Sequence, residues 1–254
     1  MIALEQVHVG AGTLVLRPES WDYGIARSVM LDNEYQLPDS FCADDLIIDI
    51  GAHIGAFACA CLQRGAGKVI AFEPEPDNFA LATSNLAIHG DQCELHAEAV
   101  WRSDGDEFMT LQLRRARHPL NTGGHDVLGD DTATWEGLEV PGVALDTVLA
   151  RLDGPVRLLK IDTEGAEYPV LLTATRLAQV MAIAGEYHRL GPASVHGGSS
   201  HRMRVMGMDH YNGEALFAHL RMQGFEVESK LDPSGSLDHG LFFAHRPGWA
   251  LCSR

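Results

Sequence analysis

Leu46-Ile47-Ile48-Asp49-Ile50-Gly51-Ala52-His53-Ile54-Gly55 is an apolar run that closes in a turn bracketed by two glycines. A short apolar run ended by glycine suits a strand buried on both faces, as in a parallel sheet. Ala56 to Arg64 then reads as a helix, with Gly65 or Gly67 as its stop. Val69-Ile70-Ala71-Phe72 reads as a second buried strand. Pro76 sits where a helix start tolerates proline. Phe79, Ala82 and Leu86 share one face of the helix that follows, and Gly90 stops it. Strand, helix, strand, helix with short loops means a parallel sheet with right-handed crossovers.

Further along, Val156 to Ile161 reads as a strand and a helix is expected from about Ala166. Val180 to Gly185 reads as another strand. Asn212 caps a helix through Leu220 that Gly224 ends. Phe225-Glu226-Val227 and Leu241-Phe242-Phe243, separated by a turn-rich segment, carry a hairpin signal. In the other direction, residues 1–40 read as an N-terminal extension or cap. It holds a short strand at Leu14-Val15-Leu16 and a helix from Trp21 to Tyr35. Residues 101–140 interrupt the alternation: Phe108 to Leu113 alternates like an edge strand, and a polar loop follows through Trp135. The expectation is a doubly wound, mostly parallel α/β sheet over residues 41–254, with a C-terminal antiparallel hairpin and an N-terminal helical extension.

Gly51 and Gly55 let backbone approach a ligand closely. In open α/β sheets ligands bind beyond the carboxyl ends of such strands. Glu73 closes the next strand, 22 residues after Gly51, where an acid can accept both ribose hydroxyls of an adenosine. The spacing is G-x-x-x-G, not the G-x-G-x-x-G that places glycines against a pyrophosphate. Asp49 before the loop suits a cationic ligand part better than a phosphate. The amino group and sulfonium of S-adenosylmethionine are such parts. A tight strand–helix connection with no ligand is the plainer reading of the glycines alone.

The chain has 254 residues, 46% hydrophobic and 21% charged, as a globular protein of one large or two small domains would. Its formal charge of −16 repels phosphate backbones and argues against nucleic acid. Arg114, Arg115 and Arg117 form a small local basic patch, read first as an exposed strand end. Five cysteines with no C-x-x-C pair indicate neither a disulfide framework nor a zinc ribbon. Cys59 and Cys61 read as small core residues. No basic leader and no run of about 18 apolar residues is present, so a soluble cytoplasmic protein without membrane contact is expected.

At this point the chain resembles the FkbM family of S-adenosylmethionine-dependent methyltransferases. The matching stretches are Ile48 to Gly55, Ala71-Phe72-Glu73-Pro74, Leu145-Asp146-Thr147-Val148-Leu149 and, most distinctively, Leu159-Lys160-Ile161-Asp162-Thr163-Glu164-Gly165-Ala166-Glu167. The resemblance covers roughly residues 20–245 in order. The resemblance implies a seven-stranded class I, Rossmann-like sheet, S-adenosylmethionine as cofactor, and usually O-methylation of sugars, polyketides or other secondary metabolites. Carried over by position, Asp49, Gly51, Ala52, His53 and Gly55 would hold the methionine half. Glu73 would take the ribose, followed by Pro74. Ala99, Asp162 and Tyr35 complete the expected cofactor set, Tyr35 as a cover or as an ordinary packing aromatic. His53 departs from the family, which usually has Asn there.

Methyl transfer needs the acceptor oxygen aligned with the methyl carbon and sulfur, and a base within hydrogen-bond reach of an alcohol. Asp162, Glu186 and His188 follow the two later strands and are the candidate catalytic residues. His188 is the better base by intrinsic pKa, against a solvated loop histidine. Glu186 could orient it or bind the acceptor. Asp162 is a cofactor contact, a metal ligand, a base, or a cap of the following helix. Glu164 and Glu167 could serve that helix through its dipole. The three candidates could also ligate a divalent cation, but a metal-free site is the primary expectation. Residues 189–213, with His196, His201 and His210, read as a lid or acceptor wall. The expected partner is a small hydroxylated acceptor, with a homodimer left open. Metal-assisted O-methylation, N-methylation, a nucleotide-dependent oxidoreductase and a non-catalytic adenosyl-binding protein are the alternatives.

Overall fold

The computed structural model describes residues 4–114, 120–127, 137–188, 212–231, 239–247 and 249. Its strands are β1 (Glu5–Val9), β2 (Gly12–Leu16), β3 (Leu46–Ile50), β4 (Lys68–Phe72), β5 (Cys93–His96), β6 (Ala99–Trp101), β7 (Phe108–Arg114), β8 (Gly137–Ala144), β9 (Leu158–Ile161), β10 (Ala182–His188), β11 (Glu226–Leu231) and β12 (His239–His245). Its α-helices are α1 (Asp22–Met30), α2 (Ala56–Gln63), α3 (Pro76–Leu86), α4 (Leu145–Ala150), α5 (Glu167–Thr173) and α6 (Gly213–Met222).

Seven strands form the central sheet, in the order β11-β12-β10-β9-β3-β4-β5. β10, β9, β3, β4 and β5 are parallel neighbours. β12 lies antiparallel between β10 and β11. The expected hairpin is therefore present, with its second strand inserted into the sheet. The parallel strands alternate in what they bury. Ile47, Val69, Ala71, Leu158 and Ala184 pack on one face with α2 and α3. Ile48, Ile50, Ile70, Phe72, Leu159, Ile161 and Ile183 pack on the other with α4, α5 and α6. Period-two alternation between two apolar layers is what a doubly wound sheet needs.

Several local expectations are corrected. The extension holds the expected strand, as β2 of a β1–β2 hairpin whose first strand was not foreseen, and one helix. Val9, Leu14, Leu16, Ala26, Val29 and Met30 share the α2 core. The helix expected over Trp21 to Tyr35 stops at Met30, because Asn33 and Gln36 take φ of 51° and 53°, which no α-helix tolerates. β1, β5 and β8 were not legible as strands: Glu5–Val9 and Cys93–His96 are short and largely polar. β7 is present, but in a separate three-stranded sheet ordered β6-β8-β7. Cys59 and Cys61 are buried and free as expected. Cys42 is disulfide-bonded, which the cysteine spacing did not indicate. Residues 189–211 of the lid expected at 189–213, Arg115, Arg117 and most of the polar stretch to Trp135 lie outside the described residues. No helix of the described residues is long and apolar enough to cross a membrane.

Candidate active site

Parallel strands end on one edge. Gly51 after β3, Glu73 after β4, Asp162 after β9, and Glu186 and His188 in β10 accordingly line one cavity of about 870 Å³. Tyr35, Ala52, His53, Pro74 and Ala99 line it too. Asp49 and Gly55 are not among its lining residues. Asp49 is fully buried, and its Oδ1 lies 3.3 Å from Lys160 Nζ. Gly55 packs α2 on α3: a Cβ there would meet Leu86 at 3.1 Å. Gly51 has φ of 80°, and a Cβ would come within 2.0 Å of the Asp162 carbonyl oxygen. That close crossing of the β3 and β9 loops is why glycine is needed.

In the cofactor half, Glu73 is buried and its two oxygens are spread over the loop. Oε2 accepts from His53 N at 2.7 Å, and Oε1 from Glu75 N at 2.9 Å. Burial pushes its carboxyl up to about 7, against the pull of those two backbone donors. His53 has φ of 52°. The left-handed region favours Asn, Asp and His among residues with a Cβ, so His can replace Asn there without refolding the loop. Its Nε2 lies 3.0 Å from Thr122 Oγ1, and Thr122 donates to Asp22 Oδ1 at 2.6 Å. Burial pushes the imidazole down to about 4, outweighing the Asp22 carboxylate, so the ring is neutral. Its Nδ1 is buried and has no hydrogen-bond partner.

In the other half, Tyr35 Oη donates to Asp162 Oδ2 at 2.9 Å. Tyr35 is buried edge-on against Phe57. The segment Lys160 to Glu167 does most of the remaining work. Lys160 Nζ donates to the Gly51 carbonyl at 2.5 Å and sits 5.6 Å from the Tyr35 ring centroid. Burial alone would lower its pKa, but the Asp49 and Asp162 carboxylates hold it above its usual value. Glu167 is fully buried. Its Oε1 accepts from His188 N at 2.8 Å and lies 3.0 Å from His188 Nδ1, while Oε2 accepts from Gly165 N at 2.8 Å. α5 starts at Glu167, and its N-cap, Ala166, makes no side-chain cap. Asp162 is thus not the cap of that helix.

His188 is buried, not a solvated loop histidine. Burial opposes its charge, yet Glu167 and Glu164 hold its pKa well above 6.5. Its Nε2 lies 3.5 Å from Glu164 and 3.8 Å from Glu186. Burial and the Asp162 carboxylate push Glu186 up to about 9. Asp162, Glu186 and His188 offer ligand atoms all within 4.8 Å of one another. A group whose pKa folding raises stabilises below its unfolded value, and that contribution is lost as pH climbs through the folded value. For His188 and Glu186 both shifts are upward. Melting temperature is therefore expected to fall from pH 6.5 to about 9, and less steeply in Glu186→Gln. A profile that rises over this range, or an identical slope in the variant, would contradict the arrangement.

Sequence reasoning missed Glu167 as a partner of His188, Lys160 as the clamp of the glycine loop, His239 and the Asp22–Thr122 pair. The first two stood inside the most distinctive motif. His239 pairs with His188 across β10 and β12, with Nε2 3.6 Å from Glu186 Oε1, and no local pattern marked it. Asp22 and Thr122 meet only through the fold. Leu145 to Leu149 is structural: Asp146 accepts from Thr175 N and Arg176 N behind α5.

A cavity at the carboxyl edge of a doubly wound sheet, a glycine loop and a buried acid one strand over define a class I S-adenosylmethionine-dependent methyltransferase domain. The methyltransferase FkbM domain model matches residues 49–225. The chain belongs to this FkbM methyltransferase family, and its cofactor is S-adenosylmethionine. The residues present fit that molecule: Glu73 offers a buried acceptor for hydroxyls, and His53 Nδ1 is a buried atom in want of a donor. The hexuronic acid methyltransferase AglP of Haloferax volcanii is 29% identical over 142 residues, covering 54% of this chain and 52% of that protein. The chain thus spans about half the length of the curated relative it matches. Among solved structures, M. capricolum TrmK with S-adenosyl-homocysteine matches 88% of this chain and 70% of its own, at 7% identity and TM-score 0.48. The Pyrococcus abyssi tRNA (uracil-54, C5)-methyltransferase with S-adenosyl-L-homocysteine matches 95% and 43%, at 11% identity and TM-score 0.47.

Proposed function

We propose that this protein methylates a hydroxyl of a small, uncharged metabolite such as a sugar or polyketide. The observation that carries this is the convergence of Asp162, Glu186 and His188 on the cavity that Glu73 also lines. Glu73, Gly51, Ala52, His53, Pro74 and Ala99 would hold the cofactor. Bound there, S-adenosylmethionine supplies an activated methyl carbon for in-line displacement by the acceptor oxygen.

Asp162 is the base in this reading. Tyr35 fixes its Oδ2, and Oδ1 takes the hydroxyl proton as the oxygen–carbon bond forms. His188 already carries its proton under the influence of Glu167 and Glu164, so it donates to the acceptor rather than deprotonating it. This moves the base from His188, where its intrinsic pKa alone had put it. Glu186 hydrogen-bonds the acceptor. Glu34, Glu98, Asp126, Asp162 and Glu164 line the cavity. Their charge favours a neutral acceptor over a hexuronic acid like that named for the Haloferax relative, and over nucleic acid.

Tritiated methyl from the cofactor should appear as an ether on members of a hydroxylated metabolite mixture. Asp162→Asn should cut that incorporation by about 100-fold or more, while affinity for S-adenosylhomocysteine changes by less than about tenfold. Label found only on nitrogen or carboxyl groups would refute hydroxyl methylation, and full activity in Asp162→Asn would remove Asp162 as the base. The 4.8 Å cluster of Asp162, Glu186 and His188 supports a second reading, a divalent cation that polarises the hydroxyl. Loss of incorporation in EDTA, restored by magnesium, would favour that one.

A further inference from the structure

We propose that His53 Nδ1 is the hydrogen-bond acceptor for the α-ammonium of the bound S-adenosylmethionine. The proposal rests on the cofactor assignment and names which atom reads the methionine half.

The protons around His53 are fixed in sequence from Asp22. This carboxylate is fully buried and ionised: burial pushes it up, but hydrogen bonds from Arg17 and Thr122 outweigh that and hold it low. Arg17 Nε donates to Oδ2 at 2.8 Å, Arg17 N to Oδ2 at 2.9 Å, and Arg17 Nη2 to Oδ1 at 2.9 Å. A carboxylate only accepts, so the 2.6 Å contact with Thr122 is a Thr122 O–H donation to Asp22 Oδ1. With its one proton spent, Thr122 Oγ1 must accept from His53 Nε2 at 3.0 Å. Asp22 Oδ1 itself lies 3.5 Å from the same nitrogen, which also favours a proton there. The neutral ring is therefore the Nε2–H tautomer, and Nδ1 is left as a bare lone pair.

That lone pair is buried and unmatched. A buried acceptor without a donor is costly and rare in native structures. It stands on a residue that lines the ligand cavity and whose own backbone N–H is held by Glu73. Glu73 matches the ribose hydroxyls. On the methionine half the sulfonium and the carboxylate donate nothing, so the ammonium is the one donor left. Asp49 oxygens also lack a hydrogen-bond partner, but Asp49 is fully buried, is not among the residues lining the cavity, and its charge faces Lys160 Nζ at 3.3 Å; the Gly51 carbonyl accepts from the same Lys160. The support for His53 comes from outside the glycine loop: Arg17 and Asp22 belong to the N-terminal extension, and Thr122 to the segment after β7. His53 in place of Asn thus ties cofactor recognition to both appended segments.

Calorimetric titration of the full chain with two ligands tests this. S-Adenosylhomocysteine carries the ammonium, and 5′-methylthioadenosine keeps the adenosine and sulfur but lacks the amino-acid portion. His53→Ala should weaken S-adenosylhomocysteine at least about tenfold, the scale of a hydrogen bond to a charged group. It should leave 5′-methylthioadenosine within about twofold. His53→Asn should recover most of the lost affinity, because its side-chain oxygen can accept. Equal weakening of both ligands would mean that His53 only supports the loop, and no weakening would overturn the proposal directly. Failure of the wild-type chain to bind S-adenosylhomocysteine would sink the cofactor assignment and the proposal together. Should His53→Ala not fold, nitrogen-15 NMR of labelled histidines in the wild type decides. The His53 Nδ1 resonance should start unprotonated and move with S-adenosylhomocysteine but not with 5′-methylthioadenosine. A proton on Nδ1 in the free protein, or no selective movement, overturns it.

Discussion

Replacing Glu73 with alanine is expected to weaken S-adenosylhomocysteine binding by about 100-fold or more, the largest effect of any cavity residue. Two hydroxyl hydrogen bonds to a carboxylate, at about 1.5–3 kcal/mol each, account for that much. The loop suffers as well, since His53 N and Glu75 N lose the acceptors that hold them at 2.7 and 2.9 Å. The two contributions separate with a 2′-deoxy analogue. In the wild type it should bind more weakly than the parent ligand. In Glu73→Ala the two should bind alike, because the group that distinguishes them is gone. Burial holds the Glu73 carboxyl near 7, so wild-type affinity should also decline as pH falls through about that value. Glu73→Gln, which has no proton to gain, should lose this dependence. Unchanged affinity in Glu73→Ala would end its assignment to the ribose.

Lys160→Met is expected to be the most destabilising of the conservative changes at the site. Lys160 and Asp49 form a buried pair, 4% and 0% exposed. Removing one partner of such a pair costs about 3–5 kcal/mol, because the other charge stays buried and uncompensated. For a domain of this size that is a drop of roughly 6–20 °C in melting temperature. The Gly51 carbonyl also loses its donor, so cofactor affinity should fall with stability. Burial pushes the Asp49 carboxyl up, so without Lys160 it can take a proton as pH drops. The stability gap between variant and wild type should therefore narrow in acid. A double change, Lys160→Met with Asp49→Leu, should recover much of the loss, because it removes the stranded charge rather than the pairing alone. A melting temperature within a degree or two of wild type for Lys160→Met would show that the pair contributes little.

Much of this was legible because parallel strands buried on both faces must be continuously apolar. Leu46–Ile50 and Lys68–Phe72 announce themselves for that reason, and they fix where the glycine loop and Glu73 fall. Helices with a cap and a glycine stop, such as Gly213–Met222 after Asn212, were equally clear. Strands that exist only by pairing were not: Glu5–Val9 and Cys93–His96 have no pattern strong enough to stand alone. Asp162, Glu186 and His188 could be nominated from their places at strand ends. Their charge states could not, because intrinsic pKa values take no account of Glu167 lying 3.0 Å from an imidazole.

By itself the sequence determined the α/β class, the order of the strands that carry the loop, the family and the cofactor. Those follow from periodicity and from motifs of neighbouring residues, which are local properties of the chain. The tertiary structure alone decided which polar groups are spent on one another and which remain for a ligand. It placed Asp49 against Lys160, brought Glu167 onto His188, and joined Arg17, Asp22 and Thr122 to His53. Asp49 and Lys160 are 111 residues apart, Asp22 and Thr122 are 100 apart, and His53 and Thr122 are 69 apart. Protonation depends on burial and on charges a few ångströms away, quantities that exist only once the chain has folded.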